Sequence, residues 1–362
     1  MKITKMEVHA YSKPYDTPIS NGKYTYYTTD IVICLVHTDE GFTGIGWTHG
    51  DEITYTAAKR IEPYLIGEDP INVERIWEKI YLPKIFGRKG LATRAISAVD
   101  IALWDIRGKV AQLPLYKMLG GYRSEVPVYV AGGYYESGKS NRKLQEEMEE
   151  NLAKGVKAIK MKIGRVTIKE DIKRIEDVKN SVGPEVEVLV DANNAYSRMD
   201  ALKIGSALDE LGVYWFEEPI SCDDFEGSAI LVDRLKTPIA AGENEYTRYG
   251  FRDMVQAKSV NVVNADAQIL GGITEWKKVA DYVSAHNIPI APHGDQEIHV
   301  HLVAAVANGL IVEYYDTNTN VLRDRMFKNK TQLNPNGTVS PSELPGIGVE
   351  LDLDAIKKFK VN

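Results

Sequence analysis

The chain is poor in cysteine, has no long apolar run and carries no basic cluster. Cys34 and Cys222 are the only thiols in 362 residues, which argues against a disulfide framework and makes the cytoplasm the expected location. The opening MKITKMEVHAYSKPY lacks the apolar core of a signal peptide, and nothing is long and apolar enough to predict a membrane span. The net charge of −7 argues against a nucleic-acid partner. No G-x-G-x-x-G or G-x-x-x-x-G-K-[ST] run opens a helix, which removes the sequence support for dinucleotide and P-loop chemistry.

What is present suits a soluble globular protein, with 44% hydrophobic and 26% charged residues. The length calls for more than one simple core. In residues 1–122, Met6 to Ala10 and Ile31 to His37 read as strands, with a turn at Asp39-Glu40-Gly41 and a return through Gly46-Trp47. Ser20 to Thr29 reads as a polar, tyrosine-rich loop between them. A helix follows, with Ile96, Val99, Leu103, Ile106 and Val110 in one stripe and Gly120-Gly121 beyond its end.

Residues 123–320 alternate short apolar runs with amphipathic helices. The predicted strands are Val126 to Ala131, Ala158 to Lys162, Val186 to Asp191, Tyr214 to Glu217, Ile239 to Ala241, Val260 to Val263, Ile288 to Ala291 and Leu310 to Val312. Eight such units imply a closed α/β barrel of the TIM type rather than an open sheet. Residues 321–362 are turn-rich and long enough to return and pack on the first unit.

Chemistry concentrates at the ends of the barrel strands. Lys160 and Lys162, two apart in GVKAIKMKIG, share one side of a strand. Two ammonium groups there need anions facing them, or one of them gives up its proton easily and serves as a base. Asp191, Glu217 and Glu243 close three successive strands at intervals of 26 residues. Taken singly, each acid reads as a solvated loop residue or a helix cap. Together they converge on one rim, where an all-oxygen set calls for Mg²⁺. Glu218 is expected to point away from Glu217, and Glu245 lies farther into its loop than Glu243. Asp266 and His293 end the next two strands, 27 residues apart, and an Asp–His pair orients a general base. His299 and His301 fall on the following helix, where i and i+2 do not share a face, so both read as structural. Glu313 closes the eighth strand and is expected to donate a hydrogen bond if crowding keeps it protonated.

In combination, Lys160-Met161-Lys162, Asp191 with Asn193, Glu217-Glu218-Pro219, Gly242-Glu243-Asn244, Asp266, Gly271-Gly272, His293 and Glu313 resemble the enolase superfamily, and within it the mandelate racemase subgroup. The resemblance spans essentially the whole chain, including the ALWDIRGK helix and the PGIGVELD tail. It implies an α+β capping domain, completed by the C-terminal segment, on a (β/α)₇β barrel. It further implies Mg²⁺ held by Asp191, Glu217 and Glu243, with Lys162 as one base and the His293–Asp266 pair as the other, on opposite faces of the substrate carbon. Lys160 and Glu313 would meet the substrate carboxylate, Asn193 its α-hydroxyl, and a homo-oligomer is expected.

Removing a proton α to a carboxylate creates an enediolate, which Mg²⁺, Lys160 and a protonated Glu313 would stabilise. Protonating a β-hydroxyl then gives a 2-keto-3-deoxy acid, whereas returning a proton to the same carbon gives an epimer. The segment Asn21 to Tyr27, which the resemblance places over the substrate with Lys23 and Tyr24 in contact, is polar and favours a sugar acid over an aryl substrate. Lys23 would meet a second carboxylate if the substrate is a diacid. Asp266 replaces the sixth-strand lysine of cycloisomerases. VPVYVAG lacks the histidines of a hydrolase barrel.

Overall fold

The computed structural model describes residues 1–316 and 321–361. Its first unit is an antiparallel sheet in the order β1-β2-β3, formed by Ile3–Ser20, Thr25–Thr38 and Thr43–His49. Against it lie α1 (Glu52–Leu65) and α4 (Leu91–Ala111), and the unit also carries α2 (Val73–Ile80), the short α3 (Pro83–Phe86) and the short α5 (Leu115–Leu119). The sheet meets α4 at backbone distance, because a Cβ on Gly46 would stand 1.9 Å from the Ala98 carbonyl oxygen. Ile96, Val99, Leu103 and Ile106 are buried as the stripe predicts, but Val110 is 38% exposed. The helix stops earlier than Gly120-Gly121 suggested. Gln112 ends it in the left-handed region (φ 53°), and the glycine pair follows α5 instead.

The polar stretch Ser20 to Thr29 is not a loop. β1 and β2 run on through it as a hairpin, pairing Ile19 with Tyr26 and Ser20 with Thr25, and only the tip turns. Alternating Thr and Tyr are good strand formers once both edges pair, and polarity alone concealed this. The tip rests on the barrel rim: a Cβ on Gly22 would lie 2.3 Å from the Ala192 carbonyl oxygen.

The second unit is the predicted barrel. Parallel strands β4 (Val126–Gly132), β5 (Ala158–Lys162), β6 (Glu187–Asp191), β7 (Phe216–Glu217), β8 (Ile239–Ala241) and β9 (Val262–Val263) alternate with α6 (Asn141–Leu152), α7 (Ile168–Val182), α8 (Arg198–Leu211), α9 (Phe225–Arg234), α10 (Thr247–Gln256) and α11 (Ile273–Ala285). The seventh strand shrinks to Ile290, bridged to Val263 and Gly309. Pro289 and Pro292 flank this position and lack the N–H groups a longer ladder needs. After α12 (Gln296–Ala305), β10 (Val312–Tyr315) pairs with β4 and closes the ring, two residues later than the predicted Leu310 to Val312. Tyr129, Ala158, Leu189, Trp215, Ala240 and Val262 fill the interior. Lys160 and Lys162, in step with Ala158, point inward as well.

The tail carries α13 (Arg323–Met326), β11 (Thr338–Val339) and α14 (Leu353–Ile356). β11 pairs with β4 of the barrel, while the Val361 N–H donates to the Ala10 carbonyl and the Ile347 N–H to Asp105. The tail therefore ties both units together. The expected boundary at 320/321 falls beside residues 317–320, outside the described residues. Among those described, no helix is long and apolar enough to cross a membrane.

Candidate active site

Strand ends deliver the three acids to one place. Asp191 closes β6, Glu217 closes β7 and Glu243 follows β8, and one carboxylate oxygen from each lies within 4.8 Å of the others. Asn193 braces them: its N–H donates to Asp191 Oδ1 at 2.8 Å and its Nδ2 to Glu243 Oε1 at 3.3 Å. Glu243 Oε2 is buried without a hydrogen-bond partner. An orphaned carboxylate oxygen beside two further hard oxygen donors fits Mg²⁺. Glu218 points away, held by Asn194 Nδ2 and Asn244 Nδ2 at 2.8 Å each. Glu245 is taken by Lys89 at 2.6 Å.

The lysines find their anions in the same cluster. Lys160, fully buried, lies 2.8 Å from Glu217 Oε1 and 2.7 Å from Glu313 Oε1, and Lys162 lies 2.5 Å from Asp191 Oδ2. Lys160 and a bound metal together are expected to loosen the proton on Lys162. Burial and Lys160 do act in that direction, but Asp191, Tyr134 and Glu243 outweigh them and hold Lys162 well above its ordinary value. Glu313 also departs from expectation. Burial raises its carboxyl, yet Lys160, His293 and Lys162 bring it below the usual range, so it is an ionised acceptor rather than a donor. Its Oε2 accepts from the Gly294 N–H at 2.8 Å, which links the lysines to the loop of His293. Glu217 is driven upward, by burial and by Asp191, Glu313 and Glu243, and so is its neighbour Glu218, by burial and by Glu243 and Asp191.

His293 Nδ1 lies 3.0 Å from Asp266 Oδ2, and Nε2 lies 3.6 Å from Glu243 Oε2. Burial opposes its charge, but Glu243, Asp266 and Glu313 push the imidazole up to about 10. His301 is structural, accepting from the Tyr116 N–H and bonding the Ile347 carbonyl. His299 is fully buried and its Nε2 accepts from the Ala267 N–H at 3.1 Å, which gives it a structural role in the loop after Asp266.

Above this cluster is a cavity of about 530 Å³ between the barrel rim and the capping hairpin. Glu243, His293 and Asn193 form part of its wall, and Tyr24 joins them as expected. Lys23 does not: it is exposed at the hairpin tip, its Nζ 5.7 Å from the Tyr24 ring. Tyr134 lines the cavity with its ring 5.2 Å from Lys162 Nζ. Tyr15, Tyr26, His49, Arg94 and Arg323 also line it. Tyr26 belongs to the segment expected over the substrate, whereas sequence reasoning missed the other four because they come from separate segments with no shared spacing.

Residues 3–120 match the family described as mandelate racemase / muconate lactonizing enzyme, N-terminal domain, and residues 143–355 match enolase C-terminal domain-like. The chain is 36% identical over 340 residues to arabinonate dehydratase of Saccharolobus solfataricus, covering 91% of each chain. It is 32% identical over 366 residues to 3,6-anhydro-alpha-L-galactonate cycloisomerase of Streptomyces coelicolor, covering 99% of each. A crystal structure of a racemase from Streptomyces coelicolor A3(2) with bound magnesium superposes with a TM-score of 0.92 at 32% identity, over 99% of this chain and 100% of the other. With its acid triad at the strand ends and a matching family on each of its two units, the chain belongs to the mandelate racemase/muconate lactonizing enzyme group of the enolase superfamily, and Mg²⁺ is its cofactor.

Proposed function

We propose that the protein is a sugar-acid dehydratase, converting an acid with hydroxyls on C2 and C3 into a 2-keto-3-deoxy acid. The observation that carries this is His293. Clamped by Asp266 at 3.0 Å through Nδ1 on the cavity wall, it presents Nε2 to the cavity, set to protonate a leaving hydroxyl. The identity to arabinonate dehydratase supports the same outcome.

Bound by Asp191, Glu217 and Glu243, Mg²⁺ would supply positive charge against the developing enediolate. Lys162, as the neutral amine, takes the proton from C2, and the C–H electron pair becomes the new double bond. Once Asp191 is engaged by a cation, the nearby Lys160 ammonium favours that neutral form. Lys160 donates to the substrate carboxylate, while Glu313 holds Lys160 and the Gly294 N–H in place. His293 then gives its proton to the C3 hydroxyl, the C–O bond breaks, water leaves, and the enol rearranges to the ketone. Asn193 is placed to meet the C2 hydroxyl.

The test is incubation with Mg²⁺ and a panel of aldonic and aldaric acids, reading out 2-keto-3-deoxy product. The racemase likeness favours a second reading, epimerisation of a 2-hydroxy acid. Exchange of the C2 hydrogen in D₂O with inverted configuration and no keto acid would replace the first reading with that one. Residues 1–122 would serve as the cap, 123–320 as the catalytic barrel and 321–362 as the return segment. A cytoplasmic homo-oligomer is the expected form. Its two unpaired cysteines suit a reducing compartment, and light scattering reads the assembly.

A further inference from the structure

On the capping side of the cavity, one arginine has a buried donor without an acceptor among the described residues. Arg94, in the first turn of α4, lines the cavity, and its Nε is buried without a hydrogen-bond partner. Of the other charged groups on the wall, Glu243 belongs to the metal triad and His293 to Asp266, and the rest are engaged. Arg323 donates to Gln296 Oε1 at 2.5 Å and to the Tyr315 carbonyl at 3.1 Å. Asp51 caps α1, Asp295 accepts from Trp47 Nε1 at 2.7 Å, and Asp30 accepts from Thr28 Oγ1. Arg94 as a whole is half-buried, but its Nε–H is out of water without an acceptor, which is costly. Its position adds to the cost, since the first turn of a 21-residue helix is the positive end of the dipole. Fold stability does not account for an arginine there.

We propose that Arg94 binds a second carboxylate on the substrate, so that the acids this enzyme uses are aldarates, with one carboxylate at the lysine cluster and the other at Arg94. This rests on the sugar-acid reading above. The planar guanidinium presents parallel N–H groups that match a carboxylate, and the cavity has room for a six-carbon chain. His49 stands beside Arg94. Burial pushes its imidazole down to about 4, with His293 and Arg94 adding to the effect, and a neutral ring suits the hydroxyls between the two carboxylates. The end of β3 that carries His49 is fixed to the barrel. Thr48 Oγ1 donates to the Gln268 carbonyl at 2.7 Å, and Gln268 Nε2 donates to the Trp47 carbonyl at 3.2 Å.

The experiment is calorimetric titration of the full-length, Mg²⁺-loaded protein with matched aldarate and aldonate pairs of five and six carbons. In the wild type, the aldarate of at least one pair should bind about 10- to 100-fold more tightly than its aldonate. Arg94→Met should erase that preference and leave aldonate affinity within a few-fold, while Arg94→Lys keeps part of it. An unchanged thermal response to Mg²⁺ certifies that both variants fold. Equal affinities within every pair, or a preference that survives Arg94→Met, overturns the proposal. Binding of neither kind of acid overturns the sugar-acid reading, and this inference with it.

Discussion

His293 Nδ1 sits 3.0 Å from Asp266 Oδ2, while Asp266 Oδ1 accepts from the Gln268 N–H at 2.7 Å, so the carboxylate is fixed before it orients the ring. Nδ1 is thereby committed to the acid and Nε2 is turned toward Glu243 and the cavity. Asp266→Asn keeps the packing but permits the wrong tautomer. It should lower kcat by about 10²- to 10⁴-fold with little change in KM, and His293→Asn should abolish turnover. A fully active Asp266→Asn enzyme, by steady-state kinetics, would remove His293 from the proton-transfer role.

The acids separate into ligands and bystanders, and thermal denaturation tells them apart. A cation that binds only the folded chain stabilises it by about 2.7 kcal/mol at 100 times its Kd. Adding Mg²⁺ should therefore raise Tm, and chelation should reverse the rise. Asp191→Asn, Glu217→Gln and Glu243→Gln should each blunt the response. Glu218→Gln should retain it, because Asn194 and Asn244 hold that side chain away from the triad. A lost response in Glu218→Gln with a normal one in Glu217→Gln would reverse the assignment.

The barrel was legible because its repeat is local: one acid per strand–helix unit, 26 residues apart, fixes both the register and the rim. The cap was less so. Its hairpin was hidden by tyrosines and threonines that are polar in composition yet pair as strands, and this misplaced Lys23 over the substrate when it lies exposed at the tip. Arg94 and His49 could not be found by spacing, since one sits in the first turn of a helix and the other at a strand end. They meet only because β3 packs on α4 within the cap. The charge states of Lys162 and Glu313 were also beyond reach, because each depends on neighbours from several strands.

Asp100 gives the stability a pH dependence. It is buried between α4 and α11, accepting from Thr274 Oγ1 at 2.6 Å and from the Thr274 N–H at 2.9 Å, and burial pushes its carboxyl up to about 7. In the unfolded chain the same group titrates near 3.9. Between about pH 4 and pH 7 the folded state therefore binds the extra proton, so this contribution is intact below that window and fades as pH rises through it. Asp100→Asn should flatten this fall. Denaturant titrations at pH 5 and pH 8 check it: the difference between the two pH values should shrink in the variant, and an unchanged difference would place the effect elsewhere.

Lys162 is held from behind by a buried pair on α7. Arg174 Nη1 donates to the Lys162 carbonyl at 3.0 Å and to Asp171 Oδ1 at 2.9 Å. Asp171 also accepts from the Tyr135 and Tyr196 hydroxyls and from the Gly164 N–H, at 2.6, 2.9 and 2.8 Å. Tyr135 in turn exchanges backbone hydrogen bonds with Ser20 of the capping hairpin. One carboxylate thus ties the cap, the loop after β5 and the backbone of the proposed base. Arg174→Met leaves Asp171 and the Lys162 carbonyl short of a donor, and should cost about 3–5 kcal/mol of stability as a broken buried pair. Displacement of the amine should also lower kcat by about 10- to 100-fold, with a smaller effect on KM. The rate of C2-hydrogen exchange in D₂O should fall in parallel with kcat, and Arg174→Lys should restore part of both. A variant that loses stability but exchanges the C2 hydrogen at the wild-type rate would show that the pair supports the fold alone.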